Sequence, residues 1–373
     1  MKFSFDKKQV QEVLSKIQGI TGRKTTLSIT CDVLIKAAGS KITIIANDLE
    51  TVFSGTYEAQ VEEEGILSIN SKKFFEIVRE YPENTILVNE VENRWVEIGE
   101  KDSIYHIMAS DYANFPETPV VEDVNFVQIA SKDLKKMVDT SSIITCSGDE
   151  KRIYVLGALL EKISGSDTEK LRIVSTDSRR LNYYEADFQG DLSIPETGVI
   201  IPKKGLSELS KFLDAGSESV SIGIYQNNFV FQRENESVMI KLLEGEYPDY
   251  KPVLNCDGIV PIEMDRSMFY TLMKRISILT SEEYKSVVLN FKDNELIVTI
   301  TNPEIGESKE RMMVAYSGEN IKSAFNPRYF IDALSLFEED TIALYVKGSQ
   351  SPCIIRNTDK NNLICIIMAM HIS

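Results

Sequence analysis

The stretch "STDSRRL", Ser175 to Leu181, sets hydroxyls and a carboxylate beside two adjacent arginines. A hydroxyl next to a carboxylate can serve as nucleophile and base, and a guanidinium pair can clamp a phosphate or a carboxylate. Nucleophilic chemistry also needs an activating neighbour and a third group to orient it, and none stands nearby in sequence. Only two histidines occur, His106 and His371, and there is no H-E-x-x-H, G-x-S-x-G, Walker loop or G-x-G-x-x-G. Carboxylates gather in runs such as "VEEEG" and "LFEED", the pattern of solvated faces. Five scattered cysteines (Cys31, Cys146, Cys256, Cys353, Cys365) form no C-x-x-C pair and read as buried thiols in a reducing compartment. The residues therefore predict no catalytic set, no metal site and no cofactor. The Arg179–Arg180 pair as an anion clamp is the better reading of the stretch.

The elements that must carry this stretch repeat along the chain. "FSFDKKQVQEVLSKIQGIT" (Phe3 to Thr21), "VQIASKDLKKMVDTSSIIT" (Val127 to Thr145) and "IEMDRSMFYTLMKRISILT" (Ile262 to Thr280) align without gaps. Each opens on two apolar residues two apart, as on one strand face, and passes a polar break at Asp6, Ser131 or Asp265. A helical stripe follows: Val10/Leu134/Phe269, Val13/Met137/Leu272, Leu14/Val138/Met273 and Ile20/Ile144/Leu279. Second helices are predicted at "SKKFFEIVREY", "PKKGLSELSKF" and "NPRYFIDALSLF". Between them lie period-2 segments such as "KITIIA", "SVSIGIY", "FVFQ" and "LIVTIT", parted by turns like "YQNN" and "FKDNE". Three copies of about 120 residues fit the length, with proline-bearing acidic joins near Val121 and Cys256. The expected domains are residues 1–121, 122–255 and 256–373.

Composition is ordinary for a folded chain, with 43% hydrophobic and 26% charged residues. The start has no apolar signal region and "LICIIMAM" is far too short for a membrane span, so a cytoplasmic protein without membrane contact is expected. A net charge of −16 opposes nucleic acid unless the charges are segregated. They are: the six helical segments carry 18 basic against 7 acidic side chains, a net +11, leaving −27 for the rest. A basic helical layer in an acidic protein suits DNA on one surface only, although Lys and Arg are also good helix formers on any exposed face. No base-reading motif is present, which phosphate contacts do not require.

Taken together these residues resemble the bacterial sliding clamps, the beta subunits of the replicative DNA polymerase, over the whole length. "STDSRRL" is similar to the family's Thr-Asp-Gly-x-Arg-Leu element, "IIPKKGLSEL" and "EGEYPDY" resemble central-domain signatures, and "TNPEIGESKE" and "FNPRYFIDAL" third-domain ones. "IIMAMHIS" is similar to the family's apolar tail. The resemblance implies an α+β fold of three DNA-clamp domains and a head-to-tail homodimeric ring, helices inside around duplex DNA and sheets outside. It implies a peptide groove walled by Val155, Thr176, Ser178, Arg179, Arg180, Leu181, Pro248, Val253, Ile366, Ile367, Met368, Met370 and Ile372. The occupants would be the replicative polymerase's catalytic subunit, an ATP-dependent clamp loader and other clamp-binding replication and repair proteins. Ser178 stands where the family usually has Gly, which restricts positive φ there; Pro252, Ala369, His371 and the extra Ser373 also depart from the pattern. The resemblance points to Arg23, Lys24, Arg152, Tyr154, Lys203 and Lys204 for DNA, and to Ile278, Leu279 and Ile104 for the dimer interface. Leu279 fits a core position equally, since it lies on the helix stripe.

Three functions of different class follow. A topological tether would hold a polymerase near its template without catalysing anything. A hydrolase or transferase centred on Thr176, Asp177 and Arg180 would need a small-molecule pocket. An acidic peptide-binding scaffold not acting on DNA would not need the basic helical layer. The residues favour the first.

Overall fold

The computed structural model describes residues 1–22, 27–119, 124–144, 152–164, 169–213, 219–358 and 362–371. Within them the chain divides into two compact units. The first comprises Met1–Lys135, Phe188–Ile194 and Lys204–Leu242; the second comprises Lys136–Asp187, Pro195–Lys203 and Leu243–Ser373. The division does not follow the sequence repeat, because the middle copy is shared between the two. The expected join near Val121 lies outside the described residues.

In the first unit one antiparallel sheet runs in the order Gln60–Glu63, Lys2–Asp6, Thr85–Glu90, Trp95–Glu100, Ser103–Met108. A longer ladder runs Val127–Ile129, Val220–Tyr225, Asn228–Arg233, Glu236–Lys241, Thr51–Glu58, Lys41–Asn47, Asp32–Ala38, Gly65–Asn70. Here a strand of the middle copy pairs directly with one of the first, Met239 opposite Val52. In the second unit the ladder is Ile262–Asp265, Thr341–Tyr345, Cys353–Asn357, Leu363–Ile367, then the first eight residues of Arg180–Gln189, Glu169–Thr176, Gly157–Ser164 and Val199–Pro202. A four-stranded sheet completes it: Gly306–Met313, Glu295–Asn302, Val287–Lys292, Ile321–Phe325.

The repeated strand-helix openings form where the pattern puts them. Strands Lys2–Asp6, Val127–Ile129 and Ile262–Asp265 lead into helices Lys7–Thr21, Ser131–Ser142 and Arg266–Ile276. The polar break is the cap: Asp6 accepts from the Gln9 amide at 3.0 Å and Asp265 from the Met268 amide at 2.7 Å, contacts worth about 1 kcal/mol each. Second helices span Ser71–Glu80, Lys203–Leu209 and Pro327–Leu336, with Asn70 and Asn326 as caps. Val10, Val13 and Leu14 are buried, as are Leu134, Met137, Val138, Phe269, Leu272 and Met273. Helix Arg266–Ile276 seats on Pro327–Leu336 through the edge-to-face pair Phe269–Phe330, ring centroids 5.4 Å apart. The period-2 segments are strands, and the "FKDNE" turn holds Asp293 and Asn294 at φ +52° and +61°, as a tight hairpin requires.

The fourth position of the stripe departs from expectation. Ile20 and Ile144 are fully buried, whereas Leu279 is only partly so. The α-helix ends at Ile276 and the 3₁₀ turn Ser277–Leu279 follows, whose tighter winding rotates the next side chains off the buried face. Ile278 is consequently 75% exposed. Cys353 and Cys365 are buried on neighbouring strands, where desolvation pushes both thiols up and leaves them unreactive. Cys31 and Cys256 are partly buried, and Cys146 lies outside the described residues.

Candidate partner-binding groove

The residues Thr176 to Arg180 link strand Glu169–Thr176 to strand Arg180–Gln189 in a turn closed on itself. The Thr176 hydroxyl donates to the Arg180 carbonyl at 2.7 Å and accepts from the Ser178 amide at 3.1 Å. Asp177 Oδ1 accepts from the amides of Arg179 and Arg180, both at 2.9 Å. Ser178 adopts φ +72°, so the expected restriction at this position does not keep the turn out of the left-handed region. Four local hydrogen bonds hold it there, and its own hydroxyl accepts from Arg152 Nη1 at 2.9 Å. Thr176 and Asp177 are committed to this turn, and no base faces the Thr176 hydroxyl among its bonded neighbours.

The two arginines part company. Arg180 is 8% exposed: its Nε donates to Asp177 Oδ2 at 3.1 Å, its Nη1 to Asp332 Oδ2 at 2.5 Å, and it lies over the Tyr329 ring at 4.5 Å. The expectation that both arginines clamp an anion is therefore corrected for Arg180, which is a buried strut between the turn and helix Pro327–Leu336. Arg179 is exposed, and its carbonyl accepts from the Met368 amide at 2.8 Å.

That last bond draws the C-terminal segment alongside the turn. Strand Leu363–Ile367 pairs with Arg180–Gln189, Leu181 opposite Ile366, and the Met370 amide donates to the Ala324 carbonyl at 2.8 Å. Leu181 and Ile366 share a buried cluster with Val174, Tyr183, Tyr250 and Ile354, and Tyr247, Val253 and Leu254 pack partly buried against it. Val155 and Ile367 are buried, Pro248 and Met368 exposed, Met370 half-buried. The expected wall residues thus gather in one region of the second unit, except Ile372, which lies outside the described residues. Met side chains at a partly open apolar surface can repack around different ligands.

Beneath the groove lies an ionic lattice that the sequence did not signal. Arg172 donates through Nε to Glu185 at 2.8 Å and through Nη1 to Tyr250 at 2.9 Å, and it lies over the Tyr183 ring at 4.5 Å. Tyr250 donates in turn to Glu161. Burial holds the Tyr183 phenol up at about 12 and pushes Tyr247 and Tyr250 up as well, so all three stay neutral. Beside the groove is a pocket of about 210 Å3 lined by Arg179, Arg180, Thr280, Tyr329, Asp332 and neighbours. Tyr329 and Asp332 sit three apart on "NPRYFIDAL", opposite the buried Phe330, Ala333 and Leu334, and that spacing was the available signal for them.

The residues expected at DNA lie in several places. Arg23 and Lys24 lie outside the described residues. Arg152 and Tyr154 meet the Ser178 turn, the Tyr154 hydroxyl 3.3 Å from Ser178 Oγ. Lys203, expected to present its charge outward, is corrected: it is buried with its ammonium 3.4 Å from the Thr176 carbonyl. Lys204 is exposed. Several cations of the basic helices bond to carboxylates, among them Lys16 to Glu12, Lys211 to Glu208 and Arg275 to Glu310.

The expected interface residues lie at open sheet edges and on a protruding turn. Ile104 is 48% exposed on the edge strand Ser103–Met108, which also exposes Tyr105 and Met108, two residues the sequence reading missed. In the second unit Ile278 projects from its 3₁₀ turn, and the edge strand Gly306–Met313 exposes Met313. No described helix is long and apolar enough to cross a membrane, and no cluster of metal-ligating side chains occurs among the described residues.

Comparison with known proteins matches this arrangement from end to end. Family models for the DNA polymerase III beta subunit match as its N-terminal domain over residues 1–119, its central domain over 128–249 and its C-terminal domain over 257–371. The beta sliding clamp of Chlamydia pneumoniae is 30% identical over 372 residues, covering 100% of this chain and 99% of that one. That of Escherichia coli K12 is 26% identical over 373 residues, with both chains fully covered. The crystal structure of the Bacillus subtilis DNA polymerase sliding clamp superimposes with a TM-score of 0.91 at 25% identity, and that of a DNA polymerase III beta subunit from Eubacterium rectale with 0.91 at 26%, each over 100% of both chains. With three consecutive domain models matched and a full-length relative at 30% identity, the chain belongs to the DNA polymerase III beta-subunit family, the beta sliding clamps.

Proposed function

We propose that two copies of this chain close head to tail into a ring around duplex DNA and tether the replicative polymerase to its template. The observation that carries this reading is a pair of open sheet edges, apolar along Ser103–Met108 and charged with an exposed Met313 along Gly306–Met313. Ser103–Met108 ends one sheet and Gly306–Met313 ends another, and exposed edges of this kind call for a strand partner. Pairing the first edge of one copy with the second edge of the next gives a heterologous contact, which closes into a ring when the rotation permits. Ile104 of one copy and Ile278 and Leu279 of the next then meet at the joint. The domains are residues 1–121, 122–255 and 256–373, with the net-basic helices lining the hole.

The groove around Leu181, Val253, Ile366, Met368 and Met370 is the docking site for a short peptide carried by the polymerase, by an ATP-dependent loader that opens the ring, and by other replication and repair proteins. Arg23, Lys24, Arg152, Tyr154 and Lys204 serve DNA. The protein acts in the cytoplasm and as a tether, raising the local concentration of its partner and catalysing no reaction. The test is retention: load labelled protein onto a nicked circle with loader and ATP, then cut the circle once. Release on linearisation is expected. Protein that stays bound after the cut is held by direct contact, which overturns the ring.

A further inference from the structure

Pro248 and Val253 of the groove stand on segment 243–256, whose regular structure is the 3₁₀ turn Lys251–Leu254. Side chains pin this segment to the sheet: the Tyr247 hydroxyl donates to the Val174 carbonyl at 3.1 Å, and Arg356 Nη2 donates to the Leu254 carbonyl at 3.0 Å. Tyr250 is tied at both ends. Its carbonyl accepts from the Val253 amide at 3.2 Å, and its hydroxyl accepts from Arg172 Nη1 at 2.9 Å while donating to Glu161. One buried residue thus joins Val253 to the ionic lattice of Glu161, Arg172 and Glu185. Arg172 faces both carboxylates without help from the phenol, since its Nε donates to Glu185 at 2.8 Å and its Nη1 stands 3.8 Å from Glu161. The Tyr250 ring lies in the buried cluster with Leu181 and Ile366, and Val253 packs against that cluster. Apolar packing alone lets a ring shift along its neighbours; a hydroxyl spent both as donor and as acceptor fixes its depth and direction.

We propose that Tyr250, through its hydroxyl, is a positioning residue of the groove: the lattice sets the place of Val253 and with it the affinity for a partner peptide. The inference rests on the groove reading above. Neither the Tyr250 hydroxyl nor Arg172 meets the peptide in this assignment. Affinity lost at Tyr250 is lost through Val253.

The test uses the full chain, a fluorescent synthetic peptide with a Leu and Phe anchor pair read by polarisation, and residue-resolved hydrogen exchange of the unliganded protein. Tyr250→Phe keeps the ring and is expected to weaken the peptide about fivefold, the net worth of one hydrogen bond. Val253→Ala weakens it too, and in the Val253→Ala background Tyr250→Phe adds nothing, as coupled residues behave. The Val253 amide exchanges faster in Tyr250→Phe, while the amides of strand Glu169–Thr176 keep their protection. Arg172→Lys keeps a cation between the carboxylates but lacks the fork that reaches Tyr250, and it shows the same pattern, a second reading should Tyr250→Phe fail to fold. Unchanged affinity in Tyr250→Phe or Arg172→Lys, with Val253→Ala still weakening the peptide, overturns the positioning role and leaves the groove standing. Equal losses from Tyr250→Phe with and without Val253→Ala overturn the route through Val253. Faster exchange at Val253 and along the strand alike marks a general loss of stability and overturns the role as well. Indifference of the peptide to both Val253→Ala and Met370→Ala overturns the groove, and the positioning role with it.

Discussion

Ser178 shows two opposed terms meeting at one residue. A side chain at φ +72° costs about 1.5 kcal/mol relative to glycine, while its hydroxyl's two exposed hydrogen bonds, with Arg152 and Tyr154, are worth about 1 kcal/mol net together. The first term is the larger, so Ser178→Gly is expected to raise stability by about 0.5 kcal/mol in chemical denaturation. A loss would mean that the Arg152 contact outweighs the strain. The residue type in the sequence suggested a turn hindered from positive φ. What the type could not reveal is that Asp177 and Thr176 already close the turn through their own side chains, so that position 178 follows whether or not it is glycine. Arg179 and Arg180 teach the same lesson: adjacent and identical in the sequence, they differ because Asp332, far along the chain, meets only one of them.

At the level of strands, Glu161, Arg172 and Glu185 lie directly opposite one another on three neighbouring strands, a ladder with one cation between two carboxylates. Tyr250, which bonds into it, also starts the 3₁₀ turn Lys251–Leu254 that carries Val253 of the groove. Arg172→Met leaves two nearly buried carboxylates facing each other and is expected to cost about 3 kcal/mol at neutral pH. Urea titrations of both proteins at neutral pH check this, and an unchanged midpoint would sink it. Helices and their caps were legible because Asp6, Asp265 and the apolar stripes act within a turn or two of the chain. The Arg172 ladder was not, since its register depends on which strands become neighbours.

For the whole molecule, the open edges at Ser103–Met108 and Gly306–Met313 make the closing prediction. Ile104→Lys and Ile278→Asp, each alone, are expected to weaken self-association at least tenfold in sedimentation while leaving the circular dichroism of the fold unchanged. An unaltered dimer in both would place the joint elsewhere. The repeat and its three openings were legible in the sequence, but the way sheets bind one copy to the next was not. Strand Arg180–Gln189 takes Leu363–Ile367 as its partner, Tyr184 opposite Leu363. During synthesis the first of these leaves the ribosome long before its mate, which lies far along the chain. The second unit's sheet, and with it the proposed groove, therefore stays incomplete until Leu363–Ile367 has emerged. A nascent chain stalled shortly before Leu363 would hold Arg180–Gln189 as an unsatisfied edge, dependent on chaperone cover until that strand arrives.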